Sequence, residues 1–333
     1  MPRIAVFIAS AMTLAAAASA AAGAAAAAEV LRVSLHLPMS HPLGRNLLEF
    51  KFEVEGAGGG PLHVEVYSGA ALYNDAEIPA AVASGAIEMG VAPLARLAPR
   101  APAVDLFYIP FLFPDDAAAA AASRPDSPIR RPLDEQILAT GARVLWWQTG
   151  GSIAVLGRSA PILRPAEVQG RRIRVFDNVV GDVIAQLGGR PVATPDSEQY
   201  GAYARDLVEA GLTDIASVES LRLYEVARYL LVARPLTMEF AVLINEKLWQ
   251  RLSDGERAVL TRAARAVEAK MRRETGRLEA ETLANLRRRM EFVELTPAQR
   301  EEWRQASGGM VSAYIQRAGD LGRRLVEAAR AGR

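Results

Sequence analysis

Pro165-Ala166-Glu167-Val168-Gln169-Gly170-Arg171-Arg172-Ile173-Arg174-Val175-Phe176 packs a turn, a glycine, a basic cluster and a short apolar strand into twelve residues. The reading that decides the fold is that Arg174 leaves this strand pointing into a cleft. A planar guanidinium in such a place can donate two parallel hydrogen bonds to a carboxylate. Much of the remaining chain reads as the apparatus that builds and closes that cleft.

Downstream, Val179 to Leu187 has helical spacing and stops at Gly188-Gly189. Ser197 to Ala210 reads as a helix capped by Gly211, and Leu212 to Ala216 as a short strand. Upstream, Arg143 to Gln148 and Ile153 to Gly157 are strands separated by Thr149-Gly150-Gly151-Ser152, a candidate hinge. This alternation predicts an α/β unit from about residue 152.

The N-terminal half repeats the pattern. Val30 to Leu37 alternates as a strand, ended by Pro38. Leu43 to Glu55 has helical spacing, and Gly58 to Pro61 is a turn. Leu62 to Tyr67 is a strand, Glu77 to Ser84 a helix closed by Gly85, and Ile87 to Ala92 a further strand. Asp105 to Pro114 is the densest aromatic patch and reads as buried core. Ala117 to Ala122 reads as helix, and Ser123 to Pro132, with three prolines, as loop.

The C-terminal third changes character. Met238 to Ile244 reads as a strand returning to the first unit. Ser253-Asp254-Gly255-Glu256 is a capping box, opening a helix that runs to about Met290. At 1.5 Å per residue that is about 50 Å, enough to run along two units. Thr296-Pro297-Ala298-Gln299 is a second capping box, and the remainder reads as helix.

Composition narrows the function. The 333 residues, half of them apolar, suffice for two domains. A net charge of +1 without a basic block gives nucleic-acid binding no support. There is no cysteine, so disulfides, thiol nucleophiles and cysteine metal sites are excluded. Met1-Pro2-Arg3, the apolar run from Ile4 and the alanine tract to Ala28 resemble a secretory signal peptide. Its removal leaves 38 basic against 38 acidic residues. The mature product is expected outside the cytoplasm, in the periplasm.

Catalytic signatures are missing. The three histidines are His36, His41 and His63, and no H-E-x-x-H, G-x-S-x-G or P-loop occurs. No cofactor or metal site is called for, and no catalytic residue is assigned. An exported two-unit α/β chain with a hinge suits ligand capture between its units.

Several segments in order carry a resemblance. They are Val64 to Leu72, Val82 to Met89, Ile109-Pro110-Phe111-Leu112-Phe113, Pro161 to Val175, Gly188 to Val192, and Ile244 to Leu252. Together they resemble the solute-binding proteins of TRAP transporters, the tripartite ATP-independent periplasmic carriers, over about Leu31 to Arg324. The resemblance implies a two-lobed periplasmic-binding-protein fold, class II-like, with a long helix bridging both lobes. Residues 1–28 would be the signal peptide, 29–151 and 238–275 the first lobe, and 152–237 and 276–333 the second. It further implies capture of a small organic acid and delivery to a membrane permease. Separately, a monomer is expected.

Arg174 falls on the family's arginine that pairs with the ligand carboxylate, and His36, Asn74 and Arg96 fall near positions that line the cleft. Two departures stand out. Gly151-Ser152-Ile153-Ala154 lacks an arginine usual there, and the D-G-x-E-N segment appears as Asp214-Ile215-Ala216-Ser217-Val218. Fewer polar anchors disfavour a sugar acid, since unpaired polar groups in a closed cleft are costly. A smaller or more apolar carboxylate is expected, with Tyr73, Gln148 and Asn178 as further polar side chains of the cleft. The alternatives are a sensory subunit for a membrane kinase and a secreted enzyme on the same scaffold.

Overall fold

Apolar residues at every second position bury Leu31, Val33 and Leu35 and make β1, Glu29–Leu35, the centre of a parallel trio. The computed structural model describes residues 29–56, 62–176 and 178–331; the expected signal peptide and the Gly58–Pro61 turn lie outside them. The other strands are β2 (Leu62–Tyr67), β3 (Met89–Pro93), β4 (Ala142–Gly157), β5 (Arg172–Val175), β6 (Arg190–Ala193), β7 (Ala210–Asp214), β8 (Tyr229–Asn245) and β9 (Glu291–Val293). They lie in the order β2-β1-β3-β8-β4-β7-β5-β6, with β9 beside β8.

The pairing directions show two lobes. In the first, β1 pairs parallel with β2 and β3. In the second, β5 pairs parallel with β6 and β7. The long strands β4 and β8 run antiparallel to each other and pass from one lobe into the other. The Ala92–Ala241 pair lies on the first side and the Leu212–Val155 pair on the second. This is the expected two-lobed α/β fold.

Local signals explain the flanking helices. Pro42–Gly56 buries Leu43, Leu47, Phe50 and Val54, the i, i+4, i+7 stripe of an amphipathic helix. Ile78–Ser84 ends at Gly85, whose left-handed backbone lets its N–H reach the carbonyls of Ala81 and Val82. The Ser253 capping box forms: Ser253 Oγ accepts from the Glu256 amide at 3.2 Å, and Glu256 Oε2 from the Ser253 amide at 2.7 Å. The helix it opens, Asp254–Leu286, places Leu260, Ala263, Ala264 and Val267 in the large core and Leu286 in the core of the second lobe. It bridges both lobes, as expected.

Several elements differ from the sequence reading. The expected helix from Ser197 to Ala210 is a 3-10 turn, Asp196–Glu198, followed by the short helix Gln199–Ala204. Gly211 does not cap it but lies inside β7, because pairing with β4 and β5 overrides local helical spacing. Ile215 already belongs to the helix Ile215–Ser220. A helix begins at Arg130, within the expected loop. The strands on either side of Gly150-Gly151 are one strand, β4, with register shifts at Val144/Trp146, Thr149/Gly151 and Ser152/Ile153. β8 starts nine residues before Met238, at Tyr229, and the long helix ends at Leu286, before β9.

The aromatic patch is core: Leu106, Phe107, Tyr108 and Ile109 are all buried. The C-terminal helix Met310–Ala331, expected with the second lobe, packs into this same core through Tyr314, Leu325 and Val326. Tyr314 Oη donates to the Ala103 carbonyl at 2.8 Å, and both groups are buried. Tyr314→Phe leaves that carbonyl without its partner. Chemical denaturation is expected to show a loss of about 1–3 kcal/mol, and an unchanged midpoint would contradict this docking.

Candidate functional site

Arg174 stands at the carboxyl end of β5, fully buried, where β5 faces the first lobe. Gly211 is its neighbour across the sheet. A Cβ at Gly211 would lie 2.6 Å from Tyr203 Oη and 2.7 Å from Arg174 Cβ. Only glycine therefore lets the arginine stem and the tyrosine pack there.

The guanidinium has five N–H groups. Nε and Nη2 donate to the Thr194 carbonyl at 3.2 and 2.9 Å, and Nη1 donates to the Leu212 carbonyl at 2.6 Å. Nη2 also donates to Asp196 Oδ1. Backbone carbonyls therefore fix the fork, and an acid of the same chain neutralises it. Asp196 follows β6 and Pro195, in the first residue of its 3-10 turn. Its Oδ1 also accepts from Gln199 Nε2 at 3.1 Å.

The opposing lobe supplies the rest. His36 Nε2 lies 3.2 Å from Asp196 Oδ2. His36 Nδ1 lies 3.1 Å from the Val91 carbonyl. The Nε2 contact is an ion-pair approach rather than an aligned hydrogen bond, and with acceptors on both sides the surroundings favour the imidazolium. Asp75, just after Asn74, accepts from the Asp196 amide at 2.9 Å and from Arg96 Nε at 2.6 Å. Arg96 Nη2 reaches the Thr194 carbonyl at 3.5 Å. Beside these, His41 Nε2 is 3.2 Å from Asp214 Oδ1. The His36–Asp196, Asp75–Asp196, Arg96–Thr194 and His41–Asp214 contacts join the two lobes, across the mouth formed by the carboxyl ends of parallel strands.

Protonation follows this geometry. Burial alone would depress the His36 pKa, but the contact and charge of Asp196, with help from Asp75, leave it raised. Burial alone would raise Asp196, but Arg174, His36 and Arg96 hold it well below the usual carboxylate range. Phe240 lies against His36 at a centroid distance of 6.0 Å and edge-on to His41 at 6.2 Å.

Of the residues expected in the cleft, Arg174, Arg96 and His36 come together in this network. The others are placed differently. Asn74 closes a local turn, its Oδ1 accepting the amides of Ala76 and Glu77. Tyr73 is half-buried, and its backbone exchanges hydrogen bonds with Ser34 Oγ. Gln148 is buried but takes Asn46 Nδ2 at 2.5 Å, against the first-lobe helix. The Asn178 side chain lies outside the described residues. Sequence reasoning missed Asp75, Thr194 and Asp196. The one signal for Asp196 was its place directly after a strand, beside Pro195.

Two of the cavities lined by described residues lie elsewhere. One of about 390 Å³ is apolar and lies beneath the second lobe, between Ile173, Leu231, Phe292 and Trp303. The other, about 1250 Å³, lies between the Asp116–Asp126 segment and the long helix. Glu239 lines it, and burial pushes that carboxyl up to about 7 against the pull of Arg272 and Arg130. Neither is lined by His36, Arg174 or Asp196.

The model of the bacterial extracellular solute-binding proteins, family 7, matches residues 33–317. The chain belongs to this family. It is similar to a solute-binding protein of Chromohalobacter salexigens, 25% identical over 230 residues, or 68% of this chain and 67% of that one. A C4-dicarboxylate-binding periplasmic protein of Rhodobacter capsulatus is 24% identical over 237 residues, 70% of each chain. In structure it is similar to an extracytoplasmic solute receptor of Bordetella pertussis that binds pyroglutamic acid. The TM-score is 0.85 at 21% identity, covering 91% of this chain and 100% of that one.

The ion pairs predict a pH window. A raised His36 contributes stability that is full below its ordinary 6.5 and is lost as pH rises through its folded value. A lowered Asp196 contributes stability that is present above its ordinary 3.8 and is lost as pH falls toward its folded value. The cluster therefore stabilises most between about pH 4 and pH 6.5. The melting-temperature gap between wild type and His36→Gln is expected to be larger at pH 5.5 than at pH 8.5. A gap that widens at pH 8.5 would contradict the assignment.

Proposed function

We propose that this member of the solute-binding family is the extracytoplasmic binding subunit of a TRAP transporter. It captures a small organic acid between its lobes and passes it to a membrane permease. The observation that carries the reading is the fixed Arg174 fork, built into the second lobe and facing cationic groups of the first. Such a site suits a carboxylate, because charge-assisted bonds from a preorganised guanidinium are strong and directional. The relatives named for a C4-dicarboxylate and for pyroglutamic acid bind ligands of this chemistry.

Both sides of the cluster come from one chain, so a single subunit forms the whole site and the reading takes it as a monomer. The reading places the subunit outside the cytoplasm, in keeping with the family's extracellular character. The reading assigns binding, in keeping with the family's description as solute-binding proteins.

A thermal-shift screen of organic acids tests this, because a ligand of the folded state raises the melting temperature. A carboxylate that raises it is expected to lose about 2–5 kcal/mol of binding free energy with Arg174→Ala. Calorimetry that finds the same affinity in wild type and Arg174→Ala would overturn the assignment of the site.

A further inference from the structure

Three of the five Arg174 N–H groups are spent on backbone carbonyls, two at Thr194 and one at Leu212. That leaves one on Nη1 and one on Nη2, the pair that grips a carboxylate end-on. Asp196 takes the Nη2 member. A ligand carboxylate therefore meets an occupied fork. Arg174 and Asp196 both belong to the second lobe, so separating the lobes does not clear it.

The first lobe holds an alternative partner for Asp196. His36 Nε2 already stands 3.2 Å from Asp196 Oδ2, on the side away from Arg174. The Asp196 backbone is tied to Asp75 at 2.9 Å, so a side-chain rotation suffices to exchange partners. Other charged groups facing His36 and Asp196 are Asp75 and Arg96, which pair with each other.

We propose that Asp196 is an internal carboxylate that competes with the ligand for Arg174. On binding, the ligand carboxylate takes Nη1 and Nη2, and Asp196 turns to the His36 imidazolium. Asp196 thus sets affinity and selectivity. It favours ligands that fill both positions of the fork over anions that make a single contact, because only the former outdo the acid they displace. His36 makes the exchange pH-dependent, since a neutral imidazole leaves the displaced carboxylate buried and unpaired. This inference rests on the carboxylate reading of the site.

Asp196→Asn keeps the shape and removes the competing charge. Calorimetry with succinate, pyroglutamate, galactonate and glucuronate as probes is run on wild type, Asp196→Asn and Arg174→Ala. At least one probe is expected to bind Asp196→Asn about tenfold or more tightly than wild type. Wild-type affinity for it is expected to fall between pH 5.5 and pH 8.5, while that of Asp196→Asn stays nearly flat. Weaker or equal binding to Asp196→Asn would overturn the inference while leaving the carboxylate reading intact, provided Arg174→Ala loses binding. A probe that binds all three proteins alike would overturn the reading itself, and the inference with it. Should Asp196→Asn fail to fold, a wild-type affinity that rises with pH would overturn the inference alone.

Discussion

A guanidinium taken wholly out of water must be paired and fully hydrogen-bonded, because an unpaired buried charge is among the most expensive things a fold can contain. Arg174 answers that demand with four of its five N–H groups, given to the Thr194 and Leu212 carbonyls and Asp196. The demand reaches outward into the second lobe. β5 must lie between β6 and β7 so that the two carbonyl-bearing segments flank the arginine. Gly211 must be glycine so that β7 can approach Arg174, and Tyr203 packs over the gap. Burial pushes the Tyr203 phenol well above its ordinary range in spite of the nearby guanidinium, so it remains an uncharged neighbour.

The same charges close the molecule. The lobes share two long strands and one long helix. Beside the apolar Tyr108–Phe176 ring contact, His36 meets Asp196 across the mouth, Arg96 the Thr194 carbonyl and His41 Asp214. Such contacts are strong where water is excluded and weak where it enters. A joint of this kind holds the closed arrangement and loses its strength once it opens. At the register shift of β4, Gly151 adopts a left-handed φ of 87° and sits against Glu279, whose carboxylate receives the Ser152 amide and hydroxyl at 2.8 and 2.9 Å. This part of β4 is therefore tied to the bridging helix.

How far the sequence disclosed this depended on the range of the forces involved. Local signals survived intact: the alternation in β1, the apolar stripe of Pro42–Gly56, the Gly85 cap and the Ser253 capping box. Ser197 to Ala210 misled because its spacing is helical, while the pairing of Ala210–Asp214 with β4 and β5 is a long-range fact. Gly150-Gly151 read as a break, although glycine inside a long strand also serves a bulge. Arg174 was legible from its strand and from the ordered segments around it. Asp196 was not, since an acid after proline reads as a turn, and its partners lie 22 positions back at Arg174 and in the other lobe at His36. Asn74 closes a local turn, while its neighbour Asp75 joins the Asp196–Arg96 network.

The central claim is that the Arg174 fork receives the ligand carboxylate and that Asp196 gives way to it. A crystal structure of the protein with a bound organic acid tests this directly. The account predicts the ligand carboxylate within hydrogen-bond distance of both Nη1 and Nη2, with the Asp196 carboxylate moved onto His36. A ligand seated elsewhere, with the Arg174–Asp196 pair intact, would contradict it.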